Sequence, residues 1–188
     1  MTATDQHLAQ RVAAGDDAAL RLLVDRYHTP LSRYATSLCG DAAAAEDAVQ
    51  ETFVALWQHA GDRRENGLLR PWLFAITRNA TRRLFRRERP ESAEPELVDG
   101  LGAQAGWGNA TQLSSLERGL EDREEVRAAL ARLAEADREI LALVEVEGLT
   151  LDEAAIALSV SLPALKSRLH RARLRFMAAI GGGGTDAR

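Results

Sequence analysis

Apolar residues recur along most of the chain at a spacing of three and four, the period of a helix with one buried face. Leu8 and Val12 open the pattern; Leu20, Leu23, Val24 and Tyr27 continue it, followed by Leu31, Tyr34 and Leu38. Pro30 lies between the last two groups and marks a break between helices. From Asp41 to Gln58 the inward stripe is Ala45, Val49, Phe53 and Leu56, and from Pro71 to Arg89 it is Leu73, Ile76, Ala80 and Leu84. The pattern lapses over a stretch rich in glycine, proline and acids. It returns with Val126, Leu130, Leu133, Ile140, Leu141, Val144 and Val146, where Asp137 is a candidate cap for a helix starting at Arg138. Thr150 with Glu153 forms a capping box for a short helix over 151–158. Ser161 as N-cap and Pro163 in the first turn open another, after a tight turn. Strand-like alternation with turn signals is absent, so the chain is expected to be all-α.

The polar faces of these helices differ in sign. On the last helix Leu162, Leu165, Leu169, Ala172 and Phe176 share one side, while Lys166, Ser167, His170 and Arg171 take the other, with Arg168 and Arg173 at the flanks. A donor-rich face between basic rims suits a helix lying in the major groove, with base-edge contacts in the middle and phosphate contacts at the edges. The bland alternative is a solvated basic helix. On the helix from Pro71, Arg78, Asn79, Arg82, Phe85 and Arg86 face outward, and six arginines from Arg78 to Arg89 meet Glu88 alone. Arginines beside an outward Phe and Asn suit an unstacked single strand, although a charge run taken alone is as often a solvated face. The helix from Asp41 is its opposite, with four acids and no base. Asp47, Gln50, Glu51 and Val54 cluster outward there, a patch suited to a basic protein partner rather than to phosphate.

Charge segregation explains why a chain of 188 residues with net charge −4 and a sequence pI near 5.6 still reads as a nucleic-acid binder. Its average conceals two basic helices, an acidic helix and a middle segment rich in acids. Weak unaided DNA binding is expected. Cys39 is the sole cysteine, which excludes an internal disulfide and makes a small buried hydrophobe the better reading. The four histidines share no metal-ligand spacing, no cofactor motif is present, and no apolar run approaches about 18 residues. We expect a cytoplasmic protein without membrane insertion, metal or cofactor. No nucleophile–base set or glycine-rich phosphate loop supports an enzyme. A stand-alone helix-turn-helix regulator remains the alternative, and it predicts a dimerisation helix where this chain offers a second nucleic-acid helix.

EDAVQETFVALWQ, RPWLFAITRNATRRLFRR and EGLTLDEAAIALSVSLPALKSRLHRAR, in that order, closely resemble a bacterial RNA polymerase sigma factor of the extracytoplasmic-function (ECF) group. The resemblance implies two small helical domains: a region 2-like domain over 1–89 and a helix-turn-helix, region 4-like domain over 121–180. A flexible acidic linker over 90–120 would join them, with a flexible tail over 181–188. It further implies binding to core polymerase at clamp and flap, recognition and melting of the −10 element, reading of the −35 element, and a partner anti-sigma factor. By that likeness Asp47, Gln50, Glu51 and Val54 meet the clamp, and Asn79 with Arg78, Arg82, Arg83, Phe85 and Arg86 meets the −10 element. Lys166, Ser167, Arg168, His170, Arg171 and Arg173 meet the −35 element; Arg63, Arg64, Glu65 and Asn66 are weaker candidates beside a flipped base. Two departures stand out: Arg83 replaces an Asp frequent in the family, and Pro163–Ala164 replaces an opening Gly-Thr. Glu91, Glu94, Glu96 and Asp99 of the linker carry regularly spaced negative charge, as an RNA path mimic or as a solvated tether; Trp107 has no assigned role.

Overall fold

The computed structural model describes residues 4–62, 68–88 and 128–181, and among these the regular structure is helical. Arg63 to Asn66, the acidic linker with Trp107, and the tail beyond Gly181 lie outside the described residues, as do the side chains of Phe85 and Arg86.

Short polar caps set the boundaries of the first helices. Thr4 caps α1 (Asp5–Ala13), and Asp16 caps α2 (Asp17–Cys39) by accepting from the amides of Ala18 and Ala19. Gly40, at φ 72°, ends α2 in the left-handed conformation that glycine adopts without strain. Asp41 then caps α3 (Ala42–His59), and α4 (Leu69–Glu88) follows.

The expected break at Pro30 does not occur: α2 passes through it. Proline removes one backbone donor from the helix. Tyr27, Leu31, Tyr34, Ala35 and Leu38 are buried in one continuous stripe on both sides of it, and that burial outweighs the lost bond.

Helices α3 and α4 meet through small side chains. Ala45, Ala48, Val49, Thr52 and Leu56 are buried on α3, facing Leu73, Thr77, Ala80 and Thr81 of α4. The hydroxyls of Thr52 and Thr77 lie 2.9 Å apart within this contact, and each also reaches its own helix carbonyl four residues back. The buried face of α4 is thus broader than the expected Leu73, Ile76, Ala80, Leu84 stripe. Ile76 and Leu84 are half-buried, whereas Phe74 is buried and sets its ring edge-on to Tyr34 at 5.3 Å. The reason is that α4 has more than one neighbour: it packs on α3, on α2 and on the C-terminal unit.

The C-terminal unit comprises α5 (Glu135–Leu141), a π-helical turn (Ala142–Val146), α6 (Leu151–Leu158) and α7 (Leu162–Gly181). The Glu147 amide bonds the Ala142 carbonyl five residues back, and Gly148 at φ 64° releases the chain toward α6. Asp137 is not a cap; it lies inside α5, buried, where Arg175 of α7 bonds it at 2.6 Å. Cys39 is half-buried rather than buried, its thiol donating to the Ala35 carbonyl.

Candidate nucleic-acid interface

Helices α6 and α7 are joined by three residues, Ser159 to Ser161, and the ends of both helices are locally fixed. Thr150 Oγ1 accepts from the Glu153 amide at 3.2 Å, and the Glu153 carboxylate accepts from the Thr150 amide at 2.9 Å, which completes the capping box. Ser159 ends α6 in the left-handed region at φ 55°, an uncommon place for a side chain with a Cβ. Ser161 Oγ then accepts from the Ala164 amide, and Pro163 stands where no helical donor is needed. Leu165, Leu169, Ala172 and Phe176 seal α7 onto the core, with Leu162 packed partly against it.

This seating turns Ser167, Arg168, His170 and Arg171 outward, all exposed, with Lys166 half-buried beside them. The basic residues further along serve a different purpose. Arg173 donates twice to Glu145 Oε1, at 2.9 and 2.6 Å, and its side chain keeps only 25% of its exposure. Together with the Arg175–Asp137 pair it ties α7 to α5 and the π-helical turn.

On α4 the expected outward residues are split. Asn79 and Arg83 are exposed, and Arg83 pairs with Glu51 of α3. The arginine that stands where the family often has aspartate is thus paired with an acid of the neighbouring helix. Arg78 and Arg82 instead point into the seam between the two helical units. Arg78 bonds Glu139 at 2.6 Å, while Arg82 bonds Glu135 at 3.0 Å and Glu139 at 3.3 Å. Lower in the seam Arg33 of α2 grips Glu147 with two bonds of 2.6 and 2.7 Å, and Arg70 donates to the carbonyls of Glu147 and Gly148. Glu139 and Glu147 are buried there.

The acidic helix presents Asp47, Gln50 and Val54 to solvent, with Glu51 partly exposed. Trp57, an apolar residue three positions after Val54, is also exposed and extends the patch. Its exposure has a signal in the sequence, because 50, 54 and 57 share one helical face, yet an indole next to the Leu56 core position reads by default as buried. Two tyrosines lie deeper. Burial pushes the Tyr34 phenol well above its ordinary range, helped by the charge of Glu139. Tyr27 is raised by burial and by the Asp5 carboxylate that accepts its hydroxyl hydrogen bond. Among the described residues no group of His, Cys, Asp and Glu could hold a metal ion, and no helix is long and apolar enough to cross a membrane.

Comparison with known proteins assigns both halves. Residues 23–91 match the family described as Sigma-70 region 2, and residues 123–176 match Sigma-70, region 4. The chain is 36% identical to the ECF RNA polymerase sigma factor SigL of Mycobacterium tuberculosis over 163 residues, covering 85% of this chain and 88% of SigL. Among solved structures it resembles CnrH in complex with the cytosolic domain of CnrY, with a TM-score of 0.70, 29% identity, and coverage of 97% of this chain and 99% of the other. It also resembles RpoE of Bartonella quintana in complex with the anti-sigma factor NepR, with a TM-score of 0.62, 26% identity, and coverage of 89% and 98%. Two helical units with a helix-turn-helix in the second, matched along nearly the whole chain to sigma factors, place this chain in the ECF family of RNA polymerase sigma factors, which direct core polymerase to promoters.

Proposed function

We propose that the work of promoter recognition divides along the chain as its surfaces divide. Residues 1–89 form the domain that docks on the polymerase clamp and handles the −10 element, and 121–180 the domain that reads the −35 element. In the second, Lys166, Ser167, His170 and Arg171 face base edges and Arg168 faces a phosphate; Arg173 reaches DNA only by releasing Glu145. In the first, Asn79, Arg78, Arg82, Arg83, Phe85 and Arg86 receive the melted −10 strand. Asp47, Gln50, Glu51 and Val54, extended by Trp57, form the clamp contact. The linker over 90–120 tethers the two domains along the RNA path. The protein acts without catalysis of its own, in the cytoplasm, and an anti-sigma factor holds it as NepR does RpoE.

The observation that supports this division is the outward presentation of Ser167, Arg168, His170 and Arg171 on a helix whose other side is sealed by Leu165, Leu169, Ala172 and Phe176. A stand-alone regulator would need one such face; the acidic face of α3 and the basic face of α4 would then have no use. Transcription from genomic DNA by core polymerase with and without this chain, with 5′ ends mapped, tests the reading. Start sites that appear only with the chain, and share two spaced upstream elements, are the expected result. The K166A/R171A variant should lose the upstream element and keep the downstream one. Loss of both elements together would overturn the division of labour.

A further inference from the structure

The outward face of α7 does not end with its hydrogen-bond donors. Spacings of three, four and seven residues bring side chains onto one side of a helix, and from Ser167 they reach His170, Arg171 and then Leu174. Leu174 is 58% exposed, more than any other large hydrophobic side chain among the described residues. Scattered exposed leucines are ordinary; this one stands in line with the residues that face base edges. The arginines on either side of it are held by acids of the C-terminal core. Arg173 bonds Glu145 at 2.9 and 2.6 Å, and Arg175 bonds Asp137 at 2.6 Å. That turn of α7 therefore presents an alkyl group, although the run Arg-Leu-Arg reads in the sequence as positive charge.

An alkyl group gains nothing from phosphate. Among the base edges of the major groove its apolar partner is the C5-methyl group of thymine. We propose that Leu174 is a specificity-determining residue that reads a thymine methyl in the −35 element, one helical turn beyond Arg171. This rests on α7 being the −35 reader. A helical turn advances about 5.4 Å and a base-pair step about 3.4 Å, so the thymine lies about one or two base pairs past the contact of Arg171. Leu174 has neither donor nor acceptor, so it discriminates by the methyl alone. It favours thymine over uracil, which keeps the same pairing and the same O4 acceptor. Burial of one methyl group is worth about fourfold in affinity. Met177, also exposed, falls to one side of this line, toward Lys166, and serves as an apolar control.

The test uses holoenzyme assembled from core polymerase and the full chain, on promoters taken from the mapped start sites. Each thymine of the upstream element, on either strand, is replaced in turn by deoxyuridine, and affinity is measured by competition. For the wild-type chain one replacement should lower affinity about three- to fivefold. L174A should bind the unmodified promoter weaker by about the same factor and lose nothing more at that replacement. M177A should respond to deoxyuridine as the wild type does. Thermal melts verify that both variants keep the fold, as truncation of exposed side chains should allow. R171A tests the underlying reading separately, by relaxed preference at one base pair. Relaxed preference in R171A, with no response of the wild type to any deoxyuridine, overturns the role of Leu174 and leaves α7 as the reader. Unchanged upstream preference in R171A overturns both together. Weaker binding of L174A to every promoter, with its deoxyuridine response intact, marks a protein contact and overturns the thymine contact.

Discussion

Arg173 is the residue for which sequence and structure make opposite forecasts. As a basic flank of the recognition helix it would touch phosphate; in the structure it is bound twice to Glu145, whose side chain is 12% exposed. Arg173→Ala would leave that carboxylate with no cation in a nearly buried site. Breaking a fully buried ion pair costs about 3–5 kcal/mol, whereas a single hydrogen bond to a charged group is worth about 1.5–3 kcal/mol. Arg173 keeps a quarter of its exposure, so water can reach Glu145 after truncation and the lower range applies. We expect a loss of about 2 kcal/mol, or about 4–8 °C in melting temperature for a chain of this size. Glu145→Ala should cost a similar amount, and the double variant less than the sum of both, with a coupling of about 1–3 kcal/mol. Thermal melts followed by circular dichroism give these values, and duplex binding across a salt series gives the competing one. A phosphate contact predicts that R173A melts like wild type, that its salt slope falls by about 0.9, and that E145A binds DNA more tightly. That set of results would refute the structural role.

Three further outcomes are expected. Ser159→Gly relieves a left-handed residue in the turn before α7 and should stabilise the chain by about 0.5–1 kcal/mol without changing duplex affinity; a lower melting temperature would count against it. The two tyrosines are both raised above the ordinary phenol range of about 10, so the stability they contribute is intact below that pH and lost as pH rises beyond it. Phenolate absorbance should then appear together with unfolding rather than as an earlier independent step. Glu51→Arg places like charges at the Arg83 contact and reverses the acidic patch; core polymerase affinity should fall at least fivefold at modest salt while the fold is kept, and unchanged affinity would exclude α3 as the docking face.

Local signals were legible in the sequence where the physics is local. The capping box of Thr150 and Glu153, the Ser161 cap and the Leu165, Leu169, Ala172, Phe176 stripe each depend on residues within a turn or two of one another. The failures share a different origin. Pro30 reads as a break because proline's local cost is known, while the burial of α2's own stripe on both sides of it, which repays the cost, depends on other helices packed against it. Asp137 reads as a cap because an acid near a helix start usually is one; its partner, Arg175, is 38 residues away. The stripe on α4 reads too narrow because a sequence shows that a helix has an apolar face, not that several helices cover its flanks.

The same limit governs charge, and there it has a functional consequence. The sequence shows how many arginines lie on the two basic helices but not which of them are already paired. For two arginines, Arg173 and Arg33, the π-helical turn sets the pairing. Glu145, within the turn, faces α7 and binds Arg173; Glu147, just after it, faces α2 and binds Arg33. The turn's extra residue per hydrogen-bonded ring sets the phase between the two. A π-helical insertion is a costly departure from the α-helix, and here it directs one acid into the C-terminal core and the next into the seam between units. Several arginines of the two basic helices are thus paired internally, with Arg168 and Arg171 of α7 left exposed. A protein that must ignore most DNA until it joins a larger machine gains from that arrangement, because selectivity rests on a small number of exposed donors rather than on total basic charge.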